Sequence, residues 1–193
     1  EIFEQPQAIR DTLESRITND CVISSSFGHK SEKIFKSTKQ VQIVACGTSF
    51  NAGLVAKYWI EDIAKIPCNV EIASEYRYRN PIILDGTLFI SLSQSGETAD
   101  TLEALKVAKK INTTLNSLCI TNSAESSLMR LSDFTFLTHA GPEIGVASTK
   151  AFTTQLVALA LLVCSIGKIK KTINANQEKD IVNGLKKLPG LIN

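Results

Sequence analysis

Two short runs constrain this chain more than anything else in it. Val41-Gln42-Ile43-Val44-Ala45-Cys46 and Thr87-Leu88-Phe89-Ile90-Ser91-Leu92 are apolar along nearly their whole length. A strand with one wet face alternates apolar and polar residues, and these do not. Segments of helical period follow them, Phe50 to Ala64 and Thr98 to Ile111. Short buried strands alternating with helices require a parallel sheet covered on both faces. Val70 to Ala73, Ser117 to Thr121 and Phe134 to Thr138 supply three more strands. The expected fold is α/β: a three-layer, flavodoxin-like, five-stranded parallel sheet.

Helical spacing predicts an amphipathic helix from Glu1 to about Asn19 around Pro6, and a loop with a short helix from Cys21 to Lys39. A polar helix or turn is expected at Glu75 to Arg79, and a short helix at Ser126 to Leu131. A long apolar helix is predicted from Ala147 to Ile166, and a last one from Asn176 to Leu188, before Pro189-Gly190. Three parts follow: a helical segment and connector (1–39), the sheet domain (40–168), and a helix that begins a linker (169–193). The chain begins with Glu1 rather than Met, which suggests a piece of a longer polypeptide.

The 21 basic and 19 acidic residues leave a net charge of +2. That balance argues against nucleic acid or an anionic membrane as the main partner. The longest apolar stretch, Leu156 to Cys164, is too short to span a bilayer. Five cysteines at scattered positions, none in a C-x-x-C pair, read as free thiols in a reducing cytoplasm. His29 and His139 stand apart from each other and from clustered ligands. Neither a metal nor a cofactor is expected.

The chemistry concentrates where strands end. After Leu88-Phe89-Ile90 comes Ser91-Leu92-Ser93-Gln94-Ser95-Gly96-Glu97-Thr98, a hydroxyl-rich turn that opens a helix. It offers hydroxyls, an amide and free backbone N–H groups to one point, and the positive end of a helix faces the same place. It contains no Lys or Arg, so an anion there is held by hydrogen bonds and dipole. The first strand ends in a similar run, Cys46-Gly47-Thr48-Ser49-Phe50. In the flavodoxin-like strand order these two loops flank the switch point where ligands bind. Either loop alone reads as ordinary capping and turn chemistry; both together indicate an anion site. No G-x-x-x-x-G-K-[ST] and no G-x-G-x-x-G is present, which leaves a small phosphorylated metabolite over a nucleotide. A third stretch, Gly141 to Lys150, leads from the fifth strand into the long helix. Its residues are compatible with closure over a sugar through Val146 and Ser148, and equally with a plain connection capped by Ser148.

Several stretches carry a family likeness: Ile2-Phe3-Glu4-Gln5-Pro6, Ala45 to Ser49, Leu92 to Leu102, and Gly141 to Phe152. The chain resembles the sugar isomerase (SIS) domains, and among them the first SIS domain of the glutamine–fructose-6-phosphate aminotransferases, also called glucosamine-6-phosphate synthases. The resemblance implies that Ser93, Gln94, Ser95 and Thr98 hold a sugar phosphate, with Ser49 close by. It implies that Cys46, Gly47 and Thr48 line the sugar, and that Val146 and Ser148, with Ala147 between them, touch its chain and hydroxyls. The expected ligand is fructose 6-phosphate or glucosamine 6-phosphate, and the expected assembly a homodimer. The family's acid/base glutamate, its histidine and its Schiff-base lysine match no position here, nor does its glutaminase domain. The resemblance thus implies a binding half without catalytic residues. The rival is a non-catalytic SIS sensor controlling a partner, but Glu1 to Lys39 lacks a basic recognition helix.

Overall fold

A computed structural model describes residues 1–192; Asn193, the end of the 169–193 segment, lies outside the described residues. Five strands form one parallel sheet: β1 (Gln40–Ala45), β2 (Cys68–Ile72), β3 (Thr87–Ser93), β4 (Asn116–Thr121) and β5 (Phe134–Leu137). Their order is β2-β1-β3-β4-β5, the expected flavodoxin-like order. The order reverses between β1 and β3, which pair in parallel from Gln40 with Thr87 to Ala45 with Leu92.

Strand periodicity explains why both runs had to be apolar. Ile43, Leu88, Ile90 and Leu92 enter the larger core on one face, while Val44 and Phe89 enter the second core on the other. The larger core is covered by α1 (Gln5–Leu13), α2 (Ser31–Ser37), α3 (Gly47–Trp59), α7 (Lys150–Lys170) and α8 (Ala175–Leu191). The second is covered by α4 (Ala73–Tyr76), α5 (Ala99–Ile111) and α6 (Ser127–Leu131). There Tyr76 meets Phe89 edge-on, with ring centroids 5.6 Å apart.

Four helices differ from expectation. The first ends at Leu13, not near Asn19: Ser15 turns the chain back at φ 59°, and Ile17 forms an antiparallel bridge with Val22. Arg16 then lies over the Phe136 ring at 4.0 Å, and burial pushes its guanidinium down to about 10. The second runs from Gly47 to Trp59 and closes in a π-helical turn, Ile60–Ala64. The long helix begins at Lys150, not Ala147, because the Glu143 carboxylate accepts from Thr149 N–H and Ala151 N–H and fixes the first turn there. It runs on to Lys170, where Lys171 turns left-handed and Thr172 N–H closes back on the Gly167 carbonyl. By length and composition this 21-residue helix is long and apolar enough to cross a membrane, more than the Leu156 to Cys164 stretch suggested, yet 67% of its apolar window is packed inside the fold. The last helix passes through Pro189 to Leu191 instead of stopping before it. Its start carries a complete capping box, Asn174 with Gln177.

All five cysteines are free. Burial pushes the Cys68, Cys119 and Cys164 thiols up to about 12, so at neutral pH they are packing groups.

Candidate anion site at the sheet switch point

Ala45, the last residue of β1, pairs with Leu92, and β3 runs one residue further to Ser93, which pairs with Thr121 of β4, so the chain leaves both strands at the same end of the sheet. From Cys46 the chain turns at once into α3, using Gly47 at φ 57°. From Ser93 it makes a five-residue turn and enters α5 with Thr98 at the N-cap. Neither Cys46 nor Thr98 caps its helix through its side chain. Among the described residues, the leading N–H groups of both helices therefore lack side-chain acceptors, and both helix dipoles present their positive ends at neighbouring strand termini. The carboxylate in the first turn of α5, Asp100, is paired with Arg77 at 2.7 Å.

The turn between β3 and α5 is held from inside. Ser93 Oγ accepts from Gly96 N–H at 3.0 Å and lies 2.9 Å from Thr98 Oγ1. Ser95 Oγ accepts from Glu97 N–H at 3.2 Å. Ser95 is exposed, Gln94 and Thr98 half-buried and Ser93 buried, so the turn presents a polar face above a fixed root. It is also held from the side. Asn122 N–H donates to the Gln94 carbonyl, Leu128 N–H to the Gly96 carbonyl, and Ser127 N–H to the Glu97 carboxylate. The Ser127 hydroxyl and N–H hold that carboxyl below the ordinary glutamate value.

In α3, Ser49 is buried and accepts from Gln155 Nε2 of α7 at 3.0 Å. Cys46 is half-buried, and Gly47 and Thr48 are exposed at the same edge. The structure thus brings the first two loops together. Val146, Ala147 and Ser148 stand in a separate loop, and among the described residues none of them hydrogen-bonds to residues 46–49 or 93–98. Val146 and Ala147 are exposed. Ser148 is half-buried and donates to Glu143 Oε2 at 3.0 Å. Two links bring this loop toward the other two. Gln155, one and a half turns into α7, touches Ser49, roughly 7.5 Å along the helix axis from its start. Asn122 Nδ2 donates to the Gly141 carbonyl at 2.7 Å while its N–H holds Gln94.

Sequence reasoning missed several groups that build this site. Asn122 bridges two loops. Glu143 occupies the N-terminus of α7. Glu1 accepts from Ile144 N–H and Gly145 N–H, and these bonds hold its carboxyl below the usual range. Glu4 pairs with the buried Lys150 at 2.7 Å. The Glu1 to Gln5 segment is thereby a clamp on the third loop, which only tertiary contacts reveal. Among the described residues, no group of three or more His, Cys, Asp or Glu side chains converges. The arrangement can bind an anion and orient what is attached to it. The two loop carboxylates are both engaged: Glu97 accepts from Ser127 N–H, and Glu143 from helix N–H groups and hydroxyls.

The model of the SIS domain family matches residues 34–165. This chain belongs to the SIS domain family. The match spans all five strands and the helix starts of the candidate site. The chain is 54% identical over 189 residues to the glutamine–fructose-6-phosphate aminotransferase (isomerizing) of Pseudomonas putida, covering 98% of this chain and 31% of that relative. It is 52% identical over 192 residues to the same-named protein of Francisella tularensis, covering 100% of this chain and again 31% of the relative. The chain thus spans about a third of the length of the curated relatives it matches. Among solved structures it is similar to the C-terminal domain of glucosamine-fructose-6-phosphate aminotransferase from Francisella tularensis, with a TM-score of 0.94 and 51% identity over 98% of this chain and 53% of that one. A phosphosugar isomerase fold from Silicibacter pomeroyi superposes with a TM-score of 0.80 at 24% identity, covering 99% of this chain and 54% of that one; this supports the fold alone.

Proposed function

We propose that this SIS domain binds a hexose 6-phosphate, fructose 6-phosphate or glucosamine 6-phosphate, as the first of two SIS domains in an isomerising aminotransferase. The observation that carries the reading is the pair of helix N-termini, α3 and α5, open at adjacent strand ends and ringed by Ser49, Ser93, Ser95 and Thr98. Two dipoles and a cluster of hydroxyls suit a dianionic phosphate without needing a lysine. Gln94 adds an amide to the same turn, and Cys46, Gly47 and Thr48 line the sugar. Val146, Ala147 and Ser148 close on it from the third loop. The names of relatives at 52–54% identity support this choice of ligand over a regulator's sensor domain.

In this reading, residues 40–168 are the SIS domain proper, 1–39 its helical lead-in, and 169–193 the way to a second SIS domain. The whole enzyme makes glucosamine 6-phosphate from fructose 6-phosphate and glutamine. It acts in the cytoplasm as a homodimer, and needs no nucleic acid, membrane, metal or cofactor. This domain anchors the phosphate and orients the open-chain sugar, a contribution made through proximity. Proton transfer between C1 and C2 belongs to groups outside it.

Calorimetric titration tests the reading. Fructose 6-phosphate is expected to bind, unphosphorylated fructose to bind at least a hundredfold more weakly, and Ser95→Ala to weaken the phosphorylated ligand about five- to tenfold. Equal binding of fructose and its 6-phosphate would contradict it.

A further inference from the structure

The hydroxyls around the candidate site differ in which hydrogen-bonding half remains for a ligand. Ser95 Oγ accepts from Glu97 N–H, and Ser93 Oγ accepts from Gly96 N–H while sharing a proton with Thr98 Oγ1. A hydroxyl whose lone pair is taken by an N–H keeps its own proton to give. Ser95 thus faces a ligand as a donor, and the Ser93–Thr98 pair keeps one proton between them to give, which suits a phosphate. Ser148 is held in the opposite sense. Its hydroxyl donates to Glu143 Oε2, and a carboxylate has no proton to return. Ser148 Oγ is left with lone pairs only.

Glu143 is not free to swing away. Its Oε1 accepts from Thr149 N–H at 2.8 Å, Ala151 N–H at 3.1 Å and Thr149 Oγ1 at 3.3 Å. It therefore supplies its own negative charge to the N-terminus of α7, where α3 and α5 have no such cap. Glu1 fixes the backbone of Ile144 and Gly145 beside it. Three helices thus start at one sheet edge, two open to an external anion and the third already carrying an internal one.

We propose that Glu143 is a positioning and specificity-determining residue: it makes Ser148 an acceptor-only group, so the third loop selects a sugar hydroxyl or ammonium that donates. The phosphate goes to α3 and α5, and the donor end of the sugar to α7. This rests on the sugar-phosphate reading above.

The test is a binding series with hexose 6-phosphates in which each ring or chain hydroxyl in turn is replaced by hydrogen or by fluorine. Fluorine fills the space and accepts weakly but cannot donate. At one position the wild-type protein should lose about five- to tenfold with either replacement, with fluorine no better than hydrogen. In Ser148→Ala that penalty should vanish, so that parent, deoxy and fluoro sugars bind alike. In Glu143→Gln the amide N–H can donate to Ser148 Oγ and release its proton, so the fluoro sugar should overtake the deoxy sugar. A purely structural role for Glu143 would lower all affinities together without this inversion. The proposal is overturned if fluorine rescues binding at every position in the wild type, or if Ser148→Ala leaves the penalties as they were. If phosphorylated and unphosphorylated sugars bind alike throughout, the sugar-phosphate reading itself has failed and the proposal goes with it. Phosphate-dependent binding with the wrong fluorine pattern rejects the proposal alone.

Discussion

Gly96→Ala is expected to destabilise the protein by roughly 2–6 kcal/mol and to abolish sugar-phosphate binding, the sum of a strained backbone and an overpacked contact. Gly96 has φ 68°, where a Cβ is disfavoured. A Cβ built there would lie 2.5 Å from Ser126 Cβ and 3.0 Å from Thr121 Oγ1, closer still to Ser126 Oγ, and Ser126 is itself buried. The turn cannot retreat, because Ser93 Oγ and Leu128 N–H hold both sides of Gly96. Gly47→Ala is the control. Its φ of 57° is equally left-handed, but nothing lies within 4 Å of the added Cβ. It should cost only about 1 kcal/mol of backbone strain. Urea unfolding of the two variants checks the difference; equal costs would mean that the packing of the turn against β4 and α6 is not what fixes it.

Ser93→Ala should produce the largest binding loss of any single hydroxyl removal, about ten- to a hundredfold, with 1–3 kcal/mol of stability. Ser93 is 2% exposed and receives Gly96 N–H while meeting Thr98 Oγ1. Alanine leaves a buried N–H without its acceptor and frees the Thr98 hydroxyl from its fixed direction. Ser95 is exposed and its one partner is the exposed Glu97 N–H, so Ser95→Ala should leave stability within about 0.5 kcal/mol. Paired measurements of melting and ligand affinity separate the two serines. A Ser95 variant that destabilises more than the Ser93 variant would reverse their assigned roles.

The sheet was legible because parallel strands buried on both faces must be apolar throughout, and the runs at Val41 and Thr87 are. The strand order followed from the same pattern with the Gly- and Ser-rich ends of β1 and β3. Helix starts were less legible. The apolar run from Ala147 reads as helix, but the first turn is set by Glu143, which reaches forward to Thr149 and Ala151 through a loop that carries no periodic signal. Pro189 reads as a stop, yet it sits in the last turn of α8. At the site, local chemistry was visible: hydroxyls, glycines and helix starts are properties of short runs. Bridges between distant segments were not. Asn122 joining Gln94 to Gly141, Gln155 reaching Ser49 across 106 residues, and Glu1 and Glu4 clamping the third loop leave no mark in any local window.

The central claim is that an anion belongs between the first turns of α3 and α5. A crystal structure of the protein with fructose 6-phosphate measures this directly. The account predicts the phosphate group within hydrogen-bonding distance of the Ser93 to Thr98 turn and beside the first turn of α3, with the sugar extending toward Ser148. A phosphate seated on Thr149 and Ala151 at the start of α7 would contradict it.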